Sequence, residues 1–100
     1  MKIDKVRGDQ VARGNRENVQ FELSVEPGSQ VFVAGTFNNW SASATPLEYI
    51  PGRGHFKASL HIPKGTYEYL FVVNGVWVED PKCVERVPNG FGTVNNVIHV

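Results

Sequence analysis

Val19, Phe21, Leu23 and Val25 alternate with Gln20, Glu22 and Ser24. A period of two puts the apolar set on one face of an extended strand and the polar set on the other. The rhythm returns in Phe56, Ala58, Leu60 and Ile62 against Lys57, Ser59 and His61, and again in Tyr67, Tyr69, Phe71 and Val73. In that last run the intervening Glu68, Leu70 and Val72 are unusually apolar, which predicts a strand covered on both sides. Turn residues separate the runs: Pro27-Gly28-Ser29, Pro51-Gly52-Arg53-Gly54, Pro63-Lys64-Gly65 and Asn74-Gly75. Asn-Gly between two β-rich runs is the strongest short hairpin signal, because both residues accept the positive φ of a type I′ turn. It joins residues 67–73 to Val76-Trp77-Val78. Residues 31–35 and 94–100 add two more β-rich runs, and Leu47 with Tyr49 begins a short one. No helical periodicity lasts beyond a turn. About seven short strands with turn signals every eight to twelve residues or so predict an all-β fold, an antiparallel β-sandwich. Residues 19–25 and 31–35, joined by one turn, are expected to pair as a hairpin. Residues 81–93, with Pro88, Gly90 and Gly92, are expected to form a long loop.

Composition narrows the function classes. The 100 residues are enough for one domain. Residues 1–16 read as a polar N-terminal arm or edge strand, carrying Lys2, Lys5, Arg7, Arg13 and Arg16 against Asp4 and Asp9; residues 17–100 read as the sandwich. Ten basic residues balance ten acidic ones, which removes the electrostatic footprint of a nucleic-acid binder. No apolar run approaches the ~20 residues of a membrane span, so no membrane partner is expected. The first five residues lack the apolar core of a secretory signal. Cys83 is the only cysteine. It has no intramolecular disulfide partner and reads as a partly buried or loop thiol. A reducing compartment, and with it a cytoplasmic location, is the expectation.

The motifs of common chemistries are missing. There is no G-x-S-x-G elbow, no Gly-rich loop followed by Lys-Ser/Thr, and no H-E-x-x-H. His55, His61 and His99 have no metal-ligand spacing with one another or with Cys83. Glu79-Asp80 suggests a carboxylate pair for glycoside chemistry, but adjacent strand residues point to opposite faces and do not flank one bond. Neither catalysis nor a cofactor is expected.

An aromatic and amide set remains. The run Val31-Phe32-Val33-Ala34-Gly35 ends in Thr36-Phe37-Asn38-Asn39-Trp40, which places an indole at a turn. The other tryptophan, Trp77, stands just beyond the Asn74-Gly75 turn. Phe91, Thr93 and Asn95 fall at loop ends nearby. The C–H face of a pyranose is flat and apolar and packs on an indole, while asparagine amides offer donors and acceptors to its hydroxyls. The competing reading makes each tryptophan a core plug, as in many sandwiches. Composition alone leaves both open.

The order of motifs carries a resemblance. The run from Val31 to Trp40 resembles the opening signature of family 48 carbohydrate-binding modules, in particular the glycogen-binding domain of the AMP-activated protein kinase β subunit. It continues through Pro63, Gly65, Tyr67, Tyr69, Phe71-Val72-Val73-Asn74-Gly75 and Trp77, then Asp80-Pro81, and closes with Gly92-Thr93-Val94-Asn95-Asn96-Val97-Ile98. The match runs from about Val19 to Val100, leaving only the N-terminal arm outside.

This resemblance implies an immunoglobulin-like, early-set sandwich that binds α-1,4-glucans such as glycogen and starch without catalysis. It implies that Trp40 and Trp77 stack on glucose rings, that Thr93 and Asn95 contact hydroxyls, and that Phe91 reaches across the curved chain. At Leu70 the kinase-type domains carry a lysine, so the resemblance implies a missing donor and an altered affinity or chain preference. The implied partners are an α-glucan or malto-oligosaccharide, and a protein partner or appended catalytic domain to be tethered. A protein-interaction sandwich of the same fold, with no glucan binding, is the alternative.

Overall fold

A computed structural model of the chain describes residues 16–100. The polar arm expected over residues 1–16 lies, apart from Arg16, outside the described residues. Arg16 itself opens the first strand. The described residues form β1 (Arg16–Leu23), β2 (Val31–Gly35), β3 (Glu48–Ile50), β4 (His55–Pro63), β5 (Thr66–Val73), β6 (Val76–Val78), β7 (Arg86–Pro88) and β8 (Val94–His99). One sheet has the order β1-β4-β3; the other has β2-β5-β8-β7, with β6 also on β5. Every pairing is antiparallel. This is the immunoglobulin-like sandwich expected, with one strand more than foreseen. No helix among the described residues is long and apolar enough to cross a membrane.

The alternating faces meet in the middle. Phe21 and Leu23 of β1, Phe56 of β4, Val31 and Val33 of β2, and Tyr69 and Phe71 of β5 form one buried cluster. Phe21 and Tyr69 join the two sheets, ring edge against ring face, with centroids 5.0 Å apart and planes at 68°. The outer face of the larger sheet is covered in part, with Leu70 only half-buried. Ala34 and Val72 are buried, yet they stand outside the core cluster and point away from it, as the apolar character of both β5 faces predicted.

Two expectations fail. β1 and β2 do not pair: β1 runs its whole length against β4, and β2 runs against β5. Residues 24–30 carry the chain from one sheet to the other, so the apolar faces of β1 and β2 meet across the core. Residues 81–93 are not one loop, because β7 pairs there with the start of β8. Pro88 is tolerated since β7 is an edge strand and owes no amide hydrogen to a further neighbour.

The segment before β3 belongs to both layers. Val33 N donates to Thr45 O at 3.0 Å and Leu47 N to Val31 O at 2.8 Å, in the larger sheet. Glu48–Ile50 then pairs with β4 in the smaller one. Beyond β6, a buried polar knot pins the chain. Tyr69 donates its hydroxyl to Asp80 Oδ2 at 2.7 Å, Lys82 N donates to Asp80 Oδ1 at 2.9 Å, and Asp80 N donates to Asn96 Oδ1 at 2.7 Å. Burial pushes the Tyr69 phenol far above its ordinary range, and the hydrogen bond and negative charge of Asp80 push it further. Cys83, half-buried as foreseen, points its thiol at the carbonyls of Glu85 and Val97, each 3.3 Å away.

Candidate functional site

Trp40 is placed by the turn that ends β2. Asn38 Oδ1 accepts from Gly35 N at 3.0 Å, while Asn38 Nδ2 donates to Val33 O and Thr45 Oγ1, each at 3.0 Å. One amide thus replaces the partners that β2 loses as it leaves the sheet. Asn39 and Trp40 both sit at φ 58°, and Trp40 N returns to Gly35 O at 2.8 Å. Asparagine tolerates that left-handed region, but a bulky ring does so only under strain. Gly35 is required for another reason: an added Cβ would run into the backbone oxygen of Glu68 and would also meet Phe37 Cε2 at 2.7 Å and Tyr69 Cβ at 2.9 Å.

Trp77 is placed by the Asn74-Gly75 hairpin, whose φ values of 51° and 84° are those of a type I′ turn. Asn74 also clasps the loop ahead of β2. Gln30 N donates to Asn74 Oδ1 at 2.9 Å and Asn74 N donates to Gln30 O at 2.8 Å. Across the ladder Trp77 stands opposite Val72, so it shares the outer face with Val72 and Leu70. Trp77 is 47% exposed; Trp40 is half-buried. The two ring centroids lie 6.4 Å apart with planes at 50°. Neither indole is a core plug.

Phe91, Thr93 and Asn95 approach from the loop into β8. Asn89 organises them: its Nδ2 donates to Thr93 Oγ1 at 2.8 Å and to Asn95 Oδ1 at 3.1 Å, and its Oδ1 accepts from Phe91 N at 3.0 Å. Phe91 projects into solvent, 88% exposed. Asn95 was expected at a rim but is buried, with Nδ2 donating to Glu68 Oε1 at 3.0 Å.

All five side chains singled out from the sequence line one open concavity of about 580 Å³, within the roughly 300–1,000 Å³ typical of ligand sites. Leu70 also lines it. Glu68 and Asn89, which sequence reasoning missed, complete the lining. Glu68 was legible in principle, being two residues from Leu70 on one strand face. Asn89, read only as part of a loop, carried no such signal. A second cleft of about 610 Å³ lies between β1 and β8, but no Phe, Tyr or Trp ring lines it.

The remaining sequence candidates lie elsewhere. Glu79 and Asp80 follow β6 and are not strand neighbours. Asp80 is locked in the polar knot, whereas Glu79 Oε1 pairs with Arg86 Nε at 2.9 Å. His55 and His61 are both on β4, and His99 Nε2 meets Glu85 Oε1 at 2.7 Å. Among the described residues no group of three or more His, Cys, Asp or Glu side chains is placed to hold a metal ion.

Residues 18–100 match the family described as the glycogen recognition site of AMP-activated protein kinase. The chain belongs to this family. It is 44% identical over 75 residues to the mouse 5′-AMP-activated protein kinase subunit β-2, covering 75% of this chain and 26% of that protein. Against the bovine subunit β-1 it is 41% identical over 73 residues, 73% of this chain and 25% of the relative. The porcine subunit β-1 sequence is 40% identical over 73 residues, and 56% of it is covered. The chain therefore spans about a quarter of the mouse and bovine relatives it matches. The family match over residues 18–100 takes in both tryptophan turns and the loop into β8.

Proposed function

We propose that this glycogen-recognition family member is a non-catalytic module that binds α-1,4-glucans, with successive glucose rings seated on Trp40 and Trp77. The observation that carries the reading is the pair of accessible indoles, 6.4 Å apart and tilted by 50°, lining one concavity with Phe91, Thr93 and Asn95. An α-1,4-linked chain bends from one glucose to the next, so two tilted rings meet two successive sugars. A β-1,4-linked chain is a flat ribbon and meets one ring at a time. Phe91 closes the open side, and Thr93 and Asn95 address hydroxyls.

Binding is weak by design of the site. Each stacked ring contributes ~0.5–1.5 kcal/mol beyond its area burial, and each hydrogen bond a net ~0.5–1.5 kcal/mol. Association costs ~4 kcal/mol or more. Dissociation constants from roughly tens of micromolar to millimolar follow. A site of that strength localises: on a polymer with repeated units, multivalency multiplies it. The role proposed is to hold a protein partner or a linked domain on glucan, in a reducing, cytoplasmic setting.

Affinity electrophoresis in native gels with and without glycogen tests this. Retardation by glycogen, and tryptophan fluorescence that shifts with malto-oligosaccharide but not cello-oligosaccharide, is the expected result. Unchanged mobility with unchanged fluorescence refutes glucan binding and leaves protein interaction as the function of this face. Release of reducing sugar from starch by the purified chain refutes the non-catalytic assignment.

A further inference from the structure

We infer that Glu68 gives the glucan site a charge preference, admitting neutral chains and rejecting phosphate-substituted ones; this rests on the glucan reading above. Glu68 is on β5 two residues from Leu70, so both side chains face the concavity. It is the only acidic side chain in the lining, and among the described residues no Lys, Arg or His lines the site to offset it. Its carboxylate is not free to swing away, because Asn95 Nδ2 holds Oε1 at 3.0 Å.

The hydrogen bonds also have a direction. Asn89 spends both Nδ2 hydrogens, on Thr93 Oγ1 and on Asn95 Oδ1, and Asn95 passes one of its own to Glu68. A carboxylate only accepts, so the chain of bonds ends there and Glu68 demands a donor from the ligand. Thr93 Oγ1 has already accepted and keeps its own hydrogen to give. Glucose hydroxyls satisfy both demands, since each donates and accepts. A phosphate monoester on the glucose brings a charge of about −1.5 to −2 at neutral pH and mainly acceptor oxygens. It meets Glu68 as acceptor against acceptor and as like charge against like charge, in a concavity where rings exclude part of the water.

The experiment titrates the whole chain by tryptophan fluorescence with maltoheptaose and with the same oligosaccharide bearing a 6-phosphate on glucose. The unmodified chain is expected to bind the neutral sugar about tenfold more tightly at low ionic strength, or about 1.4 kcal/mol, with the ratio shrinking as salt is added. Glu68→Gln keeps an oxygen for Asn95 Nδ2 and removes the charge. The ratio of the two affinities in that variant, whatever their absolute values, is expected within about twofold of unity. Equal binding of both sugars by the unmodified chain, or a ratio that survives Glu68→Gln, overturns the inference. A ratio insensitive to salt overturns it even where the variant does not fold. Binding of neither sugar overturns the glucan reading itself, and the inference with it.

Discussion

Trp77→Ala isolates one half of the proposed stacking platform. With Trp77 47% exposed, and tryptophan presenting about 150–250 Å² in all, roughly 70–120 Å² is open to a ligand. A sugar on one ring face covers about half of that, and ~35–60 Å² at about 25 cal/mol per Å² is ~1–1.5 kcal/mol. The C–H/π geometry adds ~0.5–1.5 kcal/mol. The sum, ~1.5–3 kcal/mol, is a loss of about 10- to 150-fold in affinity for malto-oligosaccharide. Isothermal titration with maltoheptaose measures it. Trp77 stands opposite Val72 on the outer side of the sheet and outside the core cluster, so truncation costs the fold only about 1–2 kcal/mol of the ~5–15 kcal/mol available to a small domain. Far-UV circular dichroism of the variant is therefore expected to remain that of a sandwich. A loss below about threefold refutes stacking on this ring, and an unfolded variant refutes the assignment of Trp77 to the surface platform.

Leu70→Lys puts a donor into the same concavity, and one added hydrogen bond worth ~0.5–1.5 kcal/mol predicts affinity higher by about two- to twelvefold; no gain in titration makes the leucine neutral. Tyr69 predicts alkaline sensitivity. Its phenol is raised by burial and by Asp80, so the folded chain holds that proton more tightly than the unfolded one. Stability is full below the ordinary phenol value of about 10 and falls above it, by up to about 1.4 kcal/mol per pH unit. Urea midpoints followed upward from about pH 9 should show this slope in the unmodified chain and lose it in Tyr69→Phe. That variant starts lower by ~1–3 kcal/mol because Asp80 Oδ2 loses its donor, and parallel slopes contradict the account. Gly35→Ala should cost ~1–3 kcal/mol, because the added methyl overlaps the backbone oxygen of Glu68 and Cβ of Tyr69, neither of which can swing aside as the Phe37 ring can; an unchanged urea midpoint refutes the close approach argued for this glycine.

Faces were legible from the sequence and neighbours were not. Alternation told which side of β1, β4 and β5 is buried, since a one-residue slip would expose Phe21 or Phe71. It carries no information about which strand lies alongside, so β1 and β2 were given a hairpin that the crossing of residues 24–30 excludes. β7 escaped notice because three residues with Val87 as the one apolar member have no period to detect. The burial of Asp80 was invisible for a similar reason. Only tertiary contact with Tyr69 and Asn96 makes a carboxylate there tolerable. In the site, the turn chemistry of Asn38-Asn39 and Asn74-Gly75 announced where the indoles stand. Glu68 was within reach of the same alternation, two residues from Leu70, but Asn89, which bonds both Thr93 and Asn95, became apparent only once the β8 loop was folded against β5.

That juxtaposition has a topological origin. One edge of β5 is paired with β2 along residues 69–73, but the other edge is divided. β8 pairs with β5 up to Tyr69, and β6 begins its pairing at Phe71. Leu70 falls between them, at the point where the two neighbours part. β8 and the loop leading into it carry Asn95 and Thr93 in from one side, β6 carries Trp77 in from the other, and the turn after β2 delivers Trp40. A continuous ladder on that edge would have filled the outer face with regular strand side chains. The gap leaves a shallow floor, apolar at Leu70 and polar at Glu68, walled by rings held on tight turns. The same division accounts for the half-buried Leu70, which lines the concavity, whereas Val72, buried opposite Trp77, does not line it.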